Sequence, residues 1–254
     1  KREIDNIISE NPSLLKEYSN YENIKMIENS LDVNKKQRNI TLQYIENCIN
    51  NIIHFLETAN FIKFDEVSKY YIVMAPGLVA SQVQEINAVG LSAVLAKTNS
   101  FNDLMSGEIA GLLSCFVPVN IPEDSKTHRP NSESIALNSI AQEAEDIVDS
   151  LNKMEIQMEI DSGEEHGIHY DLLNPIIKWY ISTNEDECRE TLKYINNIGI
   201  STGDFVKAVL KICNATRELI NAYEVLNDIK LLDKLSKIEP GLLKYIVTAQ
   251  SLYI

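Results

Sequence analysis

Glycine and proline are scarce in this sequence, nine and seven in 254 residues, beside a hydrophobic content of 44%. So few chain-breaking residues argue against a turn-rich β architecture and suit an all-helical one. Cysteine is scarcer still: Cys48, Cys115, Cys188 and Cys213 lie far apart with no CxxC pair. That spacing speaks against a metal site and suits reduced core thiols in an intracellular protein. The four histidines form no Ser-His-Asp or Cys-His set for nucleophilic catalysis. No apolar run is long enough to span a bilayer, and no charged-then-apolar leader is present. A GxxxxGK(S/T) loop and a DExH box are both missing, so nothing here can cradle ATP phosphates. Positive charge is also short: 23 Lys and Arg face 37 Asp and Glu, a net charge of −14. This excludes a generic electrostatic grip on nucleic acid. Much of the acidity lies between Glu143 and Glu190, however, and Lys207 to Lys237 is nearly balanced. A start at Lys1 rather than Met reads as a piece of a longer chain.

What is present is helical periodicity, clearest from Ile200 to Tyr223. Ser201 is placed to cap a helix, with Asp204 three residues on as a shortened capping box. Ile200 and Phe205 fall at the positions of a hydrophobic staple. Most of the following residues are apolar. The polar ones, Lys207, Lys211, Asn214, Glu218 and Asn221, recur at steps of three and four, which puts them on one narrow face. A helix apolar on its other faces belongs inside a bundle. Its polar stripe faces solvent, a buried network or a lumen; on spacing alone, a plain surface edge is favoured over a phosphate-lined lumen.

Upstream, residues 2–56 read as helix interrupted at Asn11-Pro12-Ser13. Apolar positions run through Ile24, Ile27 and Leu31 and resume through Ile45, Cys48, Ile49 and Ile52, as in a pair of helices forming an antiparallel stalk. Lys69 to Val83 is strand-like, with Pro76-Gly77 suited to a type II turn at the centre of a hairpin. Helices are expected over Gln84–Lys97, over Ser100–Val117 capped by Asn102 or Asp103, and over Ser134–Met154. Others are expected from Asn174-Pro175, over Asp186–Ile195, and from Asn227-Asp228 through Ile238. Glu239-Pro240-Gly241 starts a last one, whose apolar end at Ile254 reads as docked. Pro118–Ser132 and the acidic Asp161–Gly167 are loops. His166 and His169 near Glu164 and Glu165 have metal-ligand chemistry, but no helix or strand holds them in register, and solvated loop residues are the expectation.

Four stretches in this order carry a family resemblance: Phe101-Asn102-Asp103-Leu104 followed by Leu112-Leu113-Ser114-Cys115-Phe116-Val117; the Trp179 helix; the helix capped by Ser201; and Ile246 to Ile254, ending Ser-Leu-Tyr-Ile. Together they resemble the C-terminal helical (DSHCT) domain of DExH-box RNA helicases of the superkiller/exosome-cofactor class. The resemblance implies a mainly α fold: a helical stalk segment over 1–43, the closing part of a winged-helix-like unit with a short β-hairpin over 44–86, and a helical bundle over 87–254. Within that bundle the ratchet helix matches 202–223. It also implies single-stranded RNA as partner, contacted by Lys207, Lys211, Asn214 and Arg217, and RecA-like motor domains of the same polypeptide that bind ATP and Mg. No cofactor is expected on this chain itself, no catalysis by it alone, no metal and no membrane. RNA-decay machinery is an expected partner. Where the family tends to carry Arg, this sequence has Lys207 and Lys211, which keep the charge and lose the planar fork of guanidinium.

The function so implied is the accessory C-terminal region of an ATP-dependent RNA helicase, guiding unwound RNA out of the motor. The runner-up is a helical scaffold that recruits proteins through its stalk and acidic surface. A third reading is the bundle of a DNA-directed helicase.

Overall fold

One unbroken helix, α1 (Ser13–Thr58), stands where two were expected. It contains no Gly or Pro, and its polar middle, Asn34 to Arg38, is rich in good helix formers, so nothing there turns the chain. The structure, a computed structural model, describes residues 13–162 and 166–248. It is mainly α, with a single two-stranded sheet among the described residues. The chain divides into two compact units, Lys1–Ile52 and Ile53–Ile254.

A hairpin follows α1, but one step earlier than its sequence suggests. Strands β1 (Ile62–Asp65) and β2 (Tyr70–Val73) pair antiparallel, with Ile62 opposite Val73 and Phe64 opposite Tyr71. The turn is built by Asp65, whose carboxylate accepts the N–H of Ser68 at 3.0 Å while its carbonyl accepts that of Lys69 at 2.8 Å. Pro76-Gly77 does not turn the hairpin. Pro76 lies in the first turn of α2 (Ala75–Gln82), where a missing N–H leaves no helical bond unmade.

The bundle continues with α3 (Ala88–Lys97), capped by Asn87, and a 3₁₀ turn over Asn99–Phe101. Next come α4 (Ser106–Ser114) and, after the Pro118–Ser132 loop, α5 (Ile135–Gln157), capped by Ser134. The expected caps Asn102 and Asp103 go unused: α4 starts later, with the Glu108 carboxylate accepting the Met105 N–H at 2.7 Å. Helix α6 (Leu173–Ile181) starts one residue before Asn174, whose amide reaches Asn131 instead at 2.7 Å. Asn184 caps α7 (Glu185–Asn197). Gly199, at φ +93°, then turns the chain against Pro122, whose ring would lie 2.6 Å from any added Cβ. Helix α8 (Thr202–Leu226) is the longest of this unit. It ends on left-handed Asn227, and Asp228 caps α9 (Ile229–Leu235). The expected long last helix is instead the short α10 (Ile238–Leu242) and a 3₁₀ turn over Tyr245–Thr248. The expected docked end at Ile254 lies outside the described residues.

Trp179 is the hub of the core. Fully buried, it meets Phe205 of α8 edge-on with ring centroids 5.3 Å apart, and its indole N–H donates to the Leu242 carbonyl of α10 at 2.9 Å. Beside it the Tyr180 ring fits only because Gly241 has no side chain: a Cβ there would lie 2.2 Å from the ring. Trp179→Ala is expected to destabilise the bundle by about 3–5 kcal/mol. Trp179→Phe, which keeps an aromatic face and loses one bond to the Leu242 carbonyl while that carbonyl still accepts the Lys244 N–H at 3.0 Å, should cost less, about 0.5–1.5 kcal/mol for the bond. Urea unfolding of both variants measures the difference.

Candidate nucleic-acid interface

Local chemistry sets where α8 starts. The Ser201 hydroxyl accepts the Asp204 N–H at 3.0 Å and donates to the Asp204 carboxylate at 2.8 Å. The shortened box thus closes through the hydroxyl. That bond, with Lys207 beside it, holds the Asp204 carboxyl below its usual range. Ile200 and Phe205 are both buried, as a staple requires. Packing then fixes the orientation: α8 touches α2, α4, α7, α9 and α10. Phe205, Val209, Ile212, Ala215, Leu219 and Ala222 are buried to the last few per cent. What remains outside is the polar stripe, with Leu210 and, near the helix end, Val225 as exposed apolar residues.

The four residues expected to meet RNA fall into two pairs. Lys207 and Lys211 are exposed near the helix start. Lys207 reaches Asp204 at 3.2 Å, but its side chain stays 74% exposed, so this i,i+3 contact screens it only weakly. Lys211 meets no carboxylate within salt-bridge distance among the described residues. Asn214 and Arg217 are held by protein groups instead. Arg217 forks onto Glu239 of α10, with Nε to Oε2 at 2.9 Å and Nη2 to Oε1 at 2.5 Å. Its Nη1 also donates to Asn214 at 3.0 Å, and the Asn214 amide donates to Glu85 at 3.2 Å. One turn on, the Glu218 carboxylate accepts the N–H groups of Gln84 and Glu85 at 2.9 and 3.3 Å. The stripe is therefore cationic over its first turns and neutralised further along, where it ties the 83–87 segment and α10 to α8.

Glu85 and Glu239 were not legible as site residues. They lie 129 and 22 positions from their partners, and no local pattern pairs them. Glu218 was visible only as a member of the stripe.

Burial disarms the Cys115 and Cys213 thiols and the one shifted imidazole among the described residues. Burial pushes the Cys213 thiol up to about 11 and raises that of Cys115 further, so neither is a nucleophile at neutral pH. Burial also holds His169 below the ordinary imidazole value, and no group of His, Cys, Asp and Glu among the described residues is placed to hold a metal. Glu164 and Glu165 lie outside those residues. No described helix is long and apolar enough to cross a membrane.

The Arg217–Glu239 fork carries a pH signature. Its hydrogen bond to Arg217 holds Glu239 below the usual carboxylate value of 4.5. A depressed folded pKa stabilises the fold above the unfolded value, and that stabilisation is lost as pH falls through the folded one. A double-mutant cycle with Arg217→Ala and Glu239→Ala should give a coupling of about 0.2–1 kcal/mol at neutral pH. The coupling should disappear in acid once the carboxylate is protonated; urea unfolding across that range checks both.

The sequence matches one family model, the DSHCT (NUC185) domain, over residues 71–249. No curated protein sequence matches the chain. The match runs from β2 through the 3₁₀ turn after α10, and so takes in Trp179, α8 and the whole network around Arg217. A helix buried on its other faces, with a cationic start, is thus the central element of this domain, and the chain belongs to the DSHCT family, the C-terminal accessory region of Ski2-like helicases.

Proposed function

We propose that this chain is the C-terminal accessory region of an ATP-dependent RNA helicase of the DExH-box, exosome-cofactor class, and that α8 guides single-stranded RNA as it leaves the motor. The observation that carries the reading is the pair Lys207 and Lys211. They stand four apart, both exposed, on a helix otherwise committed to the core of a helicase domain. One helical turn separates them, so they offer their charges to neighbouring phosphates of one strand. Asn214 and Arg217 then act as positioning residues, holding the stripe still through Glu85 and Glu239. In this reading RecA-like domains of the same polypeptide bind ATP and Mg, and RNA-processing or decay machinery inside the cell receives the strand. Residues 1–43 serve as a stalk segment, 44–86 close a winged-helix-like unit and 87–254 form the bundle. The alternative, a protein-interaction scaffold, is favoured by one observation, the apolar side chains exposed along α1.

The deciding experiment changes Lys207 and Lys211 to Ala in the intact helicase. Each single-strand phosphate contact contributes about −0.7 to the slope of log K against log salt, so the slope should flatten by about 1.4 at most. Unwinding should slow while RNA-independent ATPase persists. Lys193→Ala with Lys230→Ala is the control, both residues being exposed. Lys234 is unsuited to it because its ammonium donates to the Asn102 carbonyl at 2.5 Å. Equal effects of the two pairs refute a specific path along α8.

The chain alone should show no change in Tm with Mg-ATP. A shift growing as RT ln(1 + [L]/Kd) would place a nucleotide site on it and overturn the assignment of ATP to the motor domains.

A further inference from the structure

A groove of about 320 Å³ runs between α6 and α7 and shares no residue with the α8 stripe. Residues 182–184 join the two helices, which run back alongside each other: the Lys178 ammonium of α6 lies over the Tyr194 ring of α7, 5.7 Å from its centroid. Two large apolar side chains stand open in the groove, Ile181 at 63% and Tyr194 at 49% exposure. Its buried hydroxyls are already spent. Ser182 donates to the Lys178 carbonyl at 2.6 Å, and Thr191 donates to the Glu187 carbonyl at 3.2 Å. A group that covers them strands no donor and gains apolar contact.

Charge at the rim says what covers it. Glu187 is committed, accepting the Thr183 N–H and the Asn184 side-chain amide, each at 2.7 Å. Lys178 and Glu190 are not: neither side chain has a salt bridge or hydrogen bond among the described residues. Lys178 stands at the Tyr194 end of the groove, and Glu190 lies one helical turn nearer the connection. Covering the groove strips water from one cation and one anion, which is costly unless each meets an opposite charge. The same groove of a second copy does not serve, because two concave surfaces leave the space between them unfilled. Helix α6 has nine residues, about 14 Å, which matches roughly two turns of a third helix laid between the pair. We propose that the α6–α7 groove docks a short amphipathic helix of a partner protein, apolar where it meets Ile181 and Tyr194, with Asp or Glu set against Lys178 and Lys or Arg against Glu190.

The test needs no RNA and stands apart from the reading of α8. Labelled synthetic helices of about four turns share Leu anchors and differ at the two rim positions, which carry one acid and one base, two bases, or two acids. Fluorescence anisotropy with the 254-residue chain should rank the mixed peptide first, by roughly fivefold or more over either of the others. The net charge of −14 acting alone would rank the two-base peptide first, and that result overturns the proposal. Glu190→Lys should move the preference to the two-acid peptide, and Lys178→Glu to the two-base one. Ile181→Glu should abolish binding of every peptide, while circular dichroism confirms that each variant keeps its helices. Binding of no peptide, or binding that survives Ile181→Glu, overturns the proposal. So does a dimer in sedimentation that Ile181→Glu dissociates, since it would assign the groove to a second copy.

Discussion

The bundle depends on the contacts of one indole. Trp179 joins three helices that are distant in sequence: it lies in α6, meets Phe205 of α8 in an edge-to-face contact and donates its N–H to a carbonyl of α10. An aromatic side chain of this size contributes more by burial than by any single polar bond, but its N–H has to be satisfied once water is gone. The Leu242 carbonyl does that, and in doing so fixes how closely α10 approaches. The Tyr180 ring packs in the same layer, and the bare backbone at Gly241 is what gives it room.

With the core held in this way, the solvent face of α8 is determined by subtraction. The sides of the helix packed into the core are almost wholly apolar, so the charged residues have one direction left. Their contacts then divide that face. Near the start the charges are free of strong partners. Further along, carboxylates from α10 and from the segment before α3 occupy the cations and amides. The same stripe thus serves two purposes, exposure at one end and attachment at the other. Lys244 shows attachment in another form: its ammonium donates to the carbonyls of Tyr180 and Ser182 at 3.1 and 2.5 Å, closing the end of α6. Burial holds its pKa below the ordinary lysine value.

How much of this was readable in the residues follows from the distance over which each signal acts. The cap at Ser201, the staple and the extent of α8 involve neighbours within five positions, and they were legible. The hairpin was recognised but set too late, because Pro-Gly suits both a tight turn and a helix start; the turn belongs to Asp65, a commonplace residue in a commonplace context. The helical periodicity of α1 was legible across Asn34 to Arg38, a polar stretch that contains nothing to stop a helix; the expected pair of helices was not found because no turn residue lies between Ser13 and Thr58. Asn214 and Arg217 read as members of a cationic face because they share its spacing. Their engagement with Glu85 and Glu239 is a tertiary fact with no local trace. The Phe101-Asn102-Asp103-Leu104 stretch and the helices after it carried the family, since several of them had to occur in order.

One consequence concerns the order in which a ribosome delivers these parts. The indole of Trp179 and the carbonyl that receives its proton are 63 residues apart in the chain. While residues up to about Leu226 emerge, α4, α6 and α8 can gather around Trp179, but its N–H has no protein acceptor and one side of the layer stays open. Synthesis at about 5–20 residues per second leaves an interval of seconds before Leu242 arrives. During that interval the layer around Trp179 lacks α10, and the apolar surface that α10 covers in the finished fold is open to water. Completion is therefore set late by topology, and a pause in translation between the codons for α8 and α10 would lengthen the exposure without altering a single contact of the finished fold.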